Sequence, residues 1–205
     1  MTTKDKIVKA TIKLFNQHGL TTVTLRQIAV EIGISHGNLA YHYSNKGVIL
    51  GEIYTRMDEE MATTVYPSKE KIDLFHFNNL FMRISNFQKK YRFFYMDILE
   101  ISRHHPEIIQ RYRHTIKIRR DQFKLLFNTL IEMELLKPEP EPGYYKTLVH
   151  GIWVMSTFWL QQTKILGEHH PSIDSNSEVV HVWKIMLPHL TEKGLEQYRT
   201  IEHEY

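Results

Sequence analysis

Three features of this 205-residue sequence predict an all-α fold. Apolar side chains recur three or four positions apart through nearly every segment, as they do on helices with one buried face. No segment alternates apolar and polar residues in the manner of a half-buried strand. The interruptions are also of the kind that end helices: Gly19, Gly33, Pro106, and the stretch Lys137-Pro138-Glu139-Pro140-Glu141-Pro142-Gly143. They divide the chain into about nine helices. A small three-helix domain is expected over residues 1–50 and a larger helical domain over 51–205.

The first helix runs from about Lys4 to His18, with Ile7, Ala10, Leu14 and Phe15 on one face, and Gly19 stops it. Thr24 and Gln27 form a T-x-x-Q capping box that starts the second helix. Leu25, Ile28, Ala29 and Ile32 give that helix its inward face. Gly33 supplies the positive φ that ends a helix tightly. Ser35 is placed to cap a short third helix whose inward residue is Leu39. The outward side of this helix is small and polar: Ser35, His36, Gly37 and Asn38. Such a surface can enter a major groove about 12 Å wide without steric conflict. Thr24, Arg26, Tyr41, His42 and Lys46 add donors suited to phosphate oxygens. The spacing therefore predicts a DNA-reading helix-turn-helix, and double-stranded DNA is the expected partner.

Charge is distributed to match. The formal net charge is only +3. The first fifty residues nevertheless hold Lys4, Lys6, Lys9, Lys13, Arg26 and Lys46 against Asp5 and Glu31. The positive excess of the chain lies with the motif, as an electrostatic footprint on DNA requires.

Asn45 can cap a fourth helix that carries Val48, Ile49, Ile53 and Met57 to about Met61, with Pro67 as its latest end. It would connect the small domain to the larger one. There follow helices from about Lys69 to Lys90, from Arg92 to His104, and from Pro106 to about Leu136. Proline is favoured in the first turn of a helix. The proline-rich stretch after it cannot be helical. Tyr144 to about Leu166 is the eighth helix, and Gly167 to Asn176 is a loop. Ser177 can cap a ninth helix that reaches toward Arg199, bent or interrupted at Pro188.

Composition narrows the function classes. With 42% hydrophobic and 24% charged residues, the chain sits with ordinary globular proteins. It has no cysteine, so disulfides, zinc-thiolate sites and cysteine catalysis are excluded. The adjacent pairs His104-His105 and His169-His170 point to different helix faces, and no H-x-x-x-H lies on a helix, so no metal is expected. Met1 to Lys6 lacks the apolar core of a signal peptide. The longest apolar stretch, Leu148 to Leu160, is interrupted by His150, Ser156 and Thr157 and falls short of the roughly 20 residues that span a bilayer. A soluble cytoplasmic protein without a membrane partner is the expectation. Neither a nucleophile motif nor a phosphate-cradling glycine loop is present, so neither an enzyme nor a cofactor is expected.

The larger domain is rich in aromatic residues. At helical spacing most of these belong to a core. Bulky side chains on crossing helices also wall small-molecule sites, and Phe77, Phe81, Phe94, Tyr95, Tyr112, Phe123, Phe127, His150 and Trp153 are the candidate lining. Arg111, Arg113, Lys117, Arg119, Arg120 and Lys124 are spread around their helix and read as a solvated face. The last two helices are apolar on more than one side. Leu148, Ile152, Met155, Trp159 and Ile165 lie on one, and Val179, Val180, Trp183, Ile185, Met186 and Leu187 on the other. Such helices are buried on two sides.

The stretch from about residue 5 to 55 resembles the DNA-binding domain of the TetR family of bacterial transcriptional regulators. The family pattern T-x-x-x-I-A-x-x-x-G-[VI]-S-x-G-x-L-Y-x-H-F-x-x-K-x-x-L is matched at Thr24, Ile28, Ala29, Gly33, Ile34, Ser35, Gly37, Leu39, His42, Lys46 and Ile49. Ala40 stands where the family has a tyrosine, with Tyr41 beside it to cover part of that loss. Gly47 stands where the family has an acidic residue. The resemblance implies a homodimer formed through the helices near 144–166 and 177–199, and a palindromic operator. It also implies a lipophilic or aromatic effector bound in the larger domain, and the role of a repressor. The alternatives are a DNA-binding regulator without a small-molecule effector, or a helical carrier or enzyme with a vestigial DNA-binding domain.

Overall fold

The computed structural model describes residues 1–65, 72–167 and 177–201. Pro67, the start of the helix expected from Lys69, and the His169-His170 pair lie outside the described residues, as does nearly all of the loop expected up to Asn176. The described residues form eleven α-helices and one 3-10 turn. In chain order the helices are α1 (Thr3–His18), α2 (Leu25–Glu31), α3 (His36–His42), α4 (Lys46–Val65), α5 (Leu74–Lys90) and α6 (Arg92–Met96). They continue as α7 (Ile98–His104), α8 (Pro106–Glu132), α9 (Tyr144–Leu166), α10 (Ser177–Met186) and α11 (Glu192–Ile201). The 3-10 turn, Leu187–His189, lies between the last two. Among the described residues the extended structure is a single bridge between Leu136 and Leu190, and no helix is long and apolar enough to cross a membrane.

The count exceeds the predicted nine because the helix expected from Arg92 to His104 is broken and the ninth is interrupted at Pro188, as expected. The first break is at Asp97, between α6 and α7. The apolar pattern runs through this point without interruption, but the Asp97 backbone leaves the helical region (φ −103°, ψ 17°). Its carboxylate accepts the Leu20 backbone N–H at 2.7 Å. The second break follows Pro188, where Thr191 starts α11 by accepting the Gly194 N–H on its hydroxyl. α8 also ends early. Glu134 takes a left-handed conformation (φ 58°), and the Leu135 and Glu134 N–H groups bond back to the Leu130 and Ile131 carbonyls. This is the glycine-type helix stop, made here by a glutamate.

The chain forms two compact units, residues 1–63 with 88–113, and residues 64–87 with 114–205. By its internal contacts, the motif-bearing unit includes residues 51–63 and 88–113 as well as the expected 1–50. Its core holds Ile7, Phe15, Ile28, Leu39, Ile49, Ile53, Phe93, Phe94 and Ile101, all buried. Phe15 and Phe93 meet edge to face at 5.1 Å, in the offset geometry that aromatic pairs prefer.

The second unit is built around Trp183, which is 1% exposed. Its ring lies 5.0 Å from Phe77 and 4.8 Å from Tyr198, and its indole N–H donates to the Asn78 side-chain oxygen at 3.0 Å. Around this centre Phe77 touches Phe81, Phe81 touches Phe123, and Phe127 touches Tyr145. α11 seals the end of α8: Lys193, the Thr191 hydroxyl and the Thr191 N–H donate in turn to the carbonyls of Met133, Glu134 and Leu135. Gly194 permits this contact, since a Cβ there would fall 2.2 Å from the Leu135 oxygen.

Candidate nucleic-acid interface

The reading pair α2–α3 is held by local hydrogen bonds that its sequence specifies. Thr24 accepts the Gln27 N–H at 3.3 Å, and Gln27 returns the bond by accepting the Thr24 N–H at 2.7 Å. Gly33 sits at φ 70° and closes α2, with the Ile34 N–H bonded back to the Ala29 carbonyl. One residue later Ser35 caps α3 by accepting the Asn38 N–H at 3.1 Å. The connection between the helices is therefore two cap motifs in succession, which leaves it little freedom. Leu39 is fully buried and seats α3 on the unit's core.

The opposite side of α3 faces solvent. His36, Gly37, Asn38 and Tyr41 are exposed, Tyr41 to 87%, and residues 37, 38 and 41 share a face at helical spacing. Tyr41 stacks edge to face on half-buried His42 at 5.4 Å. Thr24, Arg26 and Ser35 are also exposed. The Thr24 and Ser35 side chains hold the caps, and this occupation fixes where their oxygens lie. Val30 on α2 is 73% exposed beside them. As an apolar residue it carries no donor for a phosphate.

Lys46 departs from its expected place among the phosphate donors. Its ammonium group donates to the carbonyls of Leu20 at 2.7 Å, Val23 at 3.0 Å and Thr21 at 3.2 Å. An ammonium has three N–H donors, so this occupation is complete. Burial lowers its pKa below the ordinary lysine value. At Gly47, the departure from the family's acidic residue, a Cβ would lie 3.0 Å from the His105 ring, so that side chain would have to give by a few tenths of an ångström.

Other polar ties hold the unit around the pair. Asn16 donates to the Lys90 carbonyl at 2.8 Å and accepts the Phe93 N–H at 2.9 Å. Arg56 pairs with Asp5 and with Glu52, each at 2.9 Å. The Asp5 carboxyl is pulled down to about 2, first by hydrogen bonds from Thr2 at the helix cap and then by Arg56. Neither Asn16 nor Asp97 was marked in the sequence, because their partners lie 74 to 77 positions away.

The expected effector residues are divided between the two units. Phe94, Tyr95 and Tyr112 belong to the first unit, where Phe94 touches Tyr95 at 5.7 Å and Tyr112 at 5.3 Å. Phe77, Phe81, Phe123 and Phe127 are buried against one another in the second, with Trp153 half-buried at their edge and His150 exposed. A groove of about 610 Å³ does occur in the second unit, along Pro142, Tyr144, Leu148, Gly151, Ile152 and Ile185. None of the expected residues lines it.

The last helices divide their apolar residues between two sides. Ile152, Val179, Trp183 and Met186 are buried within the chain's own core. The outward apolar residues are Val154, Phe158, Ile165 and Leu166 on α9 and Val180 on α10, with Phe158 48% exposed. The basic run on α8 is likewise not wholly a solvated face, since Arg119 is buried and donates to Gln122 at 2.7 Å. Among the described residues, no group of three or more His, Asp or Glu is placed to hold a metal ion.

Two family models match the chain. One, described as bacterial regulatory proteins of the tetR family, matches residues 7–53, and the other, described as bacterial transcriptional repressor, matches residues 56–198. A Bacillus subtilis protein described as probable HTH-type transcriptional regulator YttP is 21% identical, over 77% of this chain and 95% of that protein. The crystal structure of a TetR-family transcriptional regulator from Marinobacter aquaeolei is similar at a TM-score of 0.88 and 25% identity, covering 100% of this chain and 99% of that one. The structure of SmeT of Stenotrophomonas maltophilia in complex with triclosan shares the fold at a TM-score of 0.62 and 13% identity, over 94% and 93% of the two chains.

Proposed function

Because the chain belongs to the TetR family of bacterial transcriptional regulators, we propose that it is a ligand-responsive repressor acting in the cytoplasm. It binds a palindromic operator as a homodimer and has no catalytic activity. The observation that carries the DNA reading is the exposed face of α3. His36, Gly37, Asn38 and Tyr41 stand outward on a helix that Ser35 caps and Leu39 anchors. In this reading His36 and Asn38 approach base edges and Gly37 permits the approach. Thr24, Arg26, Tyr41 and His42 lie toward phosphates. The exposed apolar residues of α9 and α10 support a second copy of the chain as the dimer partner, since a two-fold dimer mirrors an inverted repeat.

The effector is a lipophilic or aromatic molecule, a reading supported by the triclosan bound to a protein of the same fold. Binding would alter the spacing of the two reading helices, which must sit about one DNA turn, roughly 34 Å, apart. A ~100-fold loss of DNA affinity requires about 2.7 kcal/mol of coupling. The close packing of Phe77, Phe81, Phe123 and Phe127 favours the second reading, a regulator without an effector. Footprinting on the DNA flanking the gene tests the first part, and the expected result is a protected inverted repeat. A thermal-shift screen of lipophilic compounds followed by gel shift separates the two readings. Hits that stabilise the chain and release DNA support the switch, whereas a screen without such hits supports the regulator that has no effector.

A further inference from the structure

The side chain of Lys46 spans the base of the reading pair. Its three acceptors, the carbonyls of Leu20, Thr21 and Val23, lie in the connection that enters α2, and Lys46 itself is the first residue of α4, separated from the end of α3 by three residues. Entry and exit are thus tied by one ammonium group. The Leu20 carbonyl is engaged by Lys46 at 2.7 Å and the Leu20 N–H by the Asp97 carboxylate at 2.7 Å. We propose that Lys46 and Asp97 are positioning residues for DNA binding, which clamp the α1–α2 connection between them and fix the tilt of the reading pair without touching DNA.

The chemistry of the groups accounts for this division. A lysine on a phosphate acts as a mobile, strongly hydrated point charge. Lys46 is instead half-buried with every donor assigned, and moving it to a phosphate would strip three carbonyls of their partner at once, two of them part-buried. Buried polar groups left unmatched are costly, so the clamp should remain closed when DNA is bound. Asp97 complements it, because a carboxylate accepting a backbone N–H makes one of the stronger neutral–ionic hydrogen bonds. Asp97 also sits where the helix breaks between α6 and α7, so its position is itself fixed by the backbone on either side.

The proposal rests on the DNA-binding reading, and its test separates the two. The probe is a duplex that the full-length chain selects from a random-sequence pool. Each variant is compared with the unmodified chain for affinity against salt, and for hydrogen exchange of the Leu20 amide. Lys46→Met keeps the aliphatic stem and removes the donors. The expected result is a loss of affinity of roughly tenfold with the salt slope unchanged, since no phosphate contact is lost. Asp97→Ala should raise Leu20 exchange about tenfold and weaken binding, while Asp97→Asn, which keeps an acceptor oxygen, should restore both. An amine-acylating reagent supplies a reading on the unmodified chain. Lys46 should be as unreactive without DNA as with it, whereas Lys4, Lys6 and Lys9, exposed in the same unit, should react readily. This arm stands even if Lys46→Met does not fold. A salt slope reduced by about 0.9 in Lys46→Met would mean a phosphate contact and overturn the proposal, as would a Lys46 that reacts freely until DNA is added. Unchanged Leu20 exchange in Asp97→Ala would remove Asp97 from the clamp. A chain that selects no duplex would defeat the DNA-binding reading, and with it the role in DNA binding, while Leu20 exchange still decides whether the clamp exists.

Discussion

Both compact units have an apolar core and polar ties, but they place them differently. The motif-bearing unit is fixed at its critical points by hydrogen bonds from side chains to backbone: Thr24 and Ser35 at caps, Asn16 bridging Lys90 and Phe93, Lys46 and Asp97 at the α1–α2 connection. The second is centred on rings in tilted and edge-on contact, Trp183 against Phe77 and Tyr198 and outward through Phe81, Phe123 and Phe127. Aromatic packing supplies apolar burial but tolerates a range of ring angles, here 46° to 65° among those contacts. Hydrogen bonds contribute less net stability each and are far more directional. A surface that must present side chains to a fixed duplex needs direction, and a scaffold needs volume.

The largest expected effect tests the aromatic side of that contrast. Trp183→Ala removes the buried centre of the second unit and should cost about 3–5 kcal/mol of stability, read by denaturant unfolding of the full chain. Tyr41→Ala is its counterpart. Tyr41 is 87% exposed, so stability should stay within about 0.5 kcal/mol while DNA affinity falls. Were Tyr41→Ala to destabilise as much as Trp183→Ala, the division between scaffold and reading surface would fail.

Next in size is the outward face of α9. Phe158→Asp puts a charge at the centre of the proposed dimer contact. It should weaken self-association by about 2–4 kcal/mol, roughly 30- to 700-fold in dissociation constant. Sedimentation at micromolar concentration should then show a monomer where the unmodified chain shows a dimer. A monomeric unmodified chain would sink the dimer and the palindromic operator together.

Smaller effects belong to the caps. Ser35→Ala should cost about 1 kcal/mol, and Ser35→Gly only a few tenths, by chemical denaturation. Both should weaken DNA binding by fraying the first turn of α3, where His36, Gly37 and Asn38 stand. Loss of affinity without loss of stability would mean that the Ser35 hydroxyl contacts DNA rather than the Asn38 N–H.

What could be read from the sequence divides along the range of the interaction. The capping box at Thr24 and Gln27, the turn at Gly33 and the cap at Ser35 all join residues a few positions apart, and all appear in the structure as predicted. Lys46, Asp97 and Thr191 find their partners 26, 77 and 57 positions away, where no local pattern reports them. Hence the apolar pattern runs unbroken through Asp97, and the carbonyl partners of Lys46 leave no mark in the sequence. Glu134 escaped notice because its left-handed turn lacks the glycine that advertises one. Apolar periodicity gave α9 and α10 two buried sides. It could not say which side the chain covers itself, and Trp183, Val179 and Ile152 proved internal whereas Val154, Phe158 and Val180 face outward. The aromatic residues were ambiguous for the same reason: composition does not distinguish rings that wall a cavity from rings that fill it.

The smallest expected effect sharpens the polar side of the comparison. Asp5 accepts hydrogen bonds from the Thr2 backbone and hydroxyl, each at 2.8 Å, and pairs with Arg56. These interactions favour the charged carboxylate and hold its pKa near 2, against an ordinary value of 3.8. A carboxyl depressed on folding stabilises the native state above its unfolded pKa, and that contribution is lost as pH falls through the folded value. The contribution of Asp5 should therefore be complete above about pH 4 and fade toward pH 2. In Asp5→Asn, the gap in thermal midpoint relative to the unmodified chain should be constant from neutral pH to about 4, then close. The carboxyl carbon resonance of Asp5 should titrate with a midpoint near 2. A midpoint near the ordinary value would show that the cap and Arg56 do not hold the carboxylate in solution. Since Asp5 lies at the start of α1 and Arg56 on α4, that outcome would also remove one of the polar ties that distinguish this unit from the aromatic one.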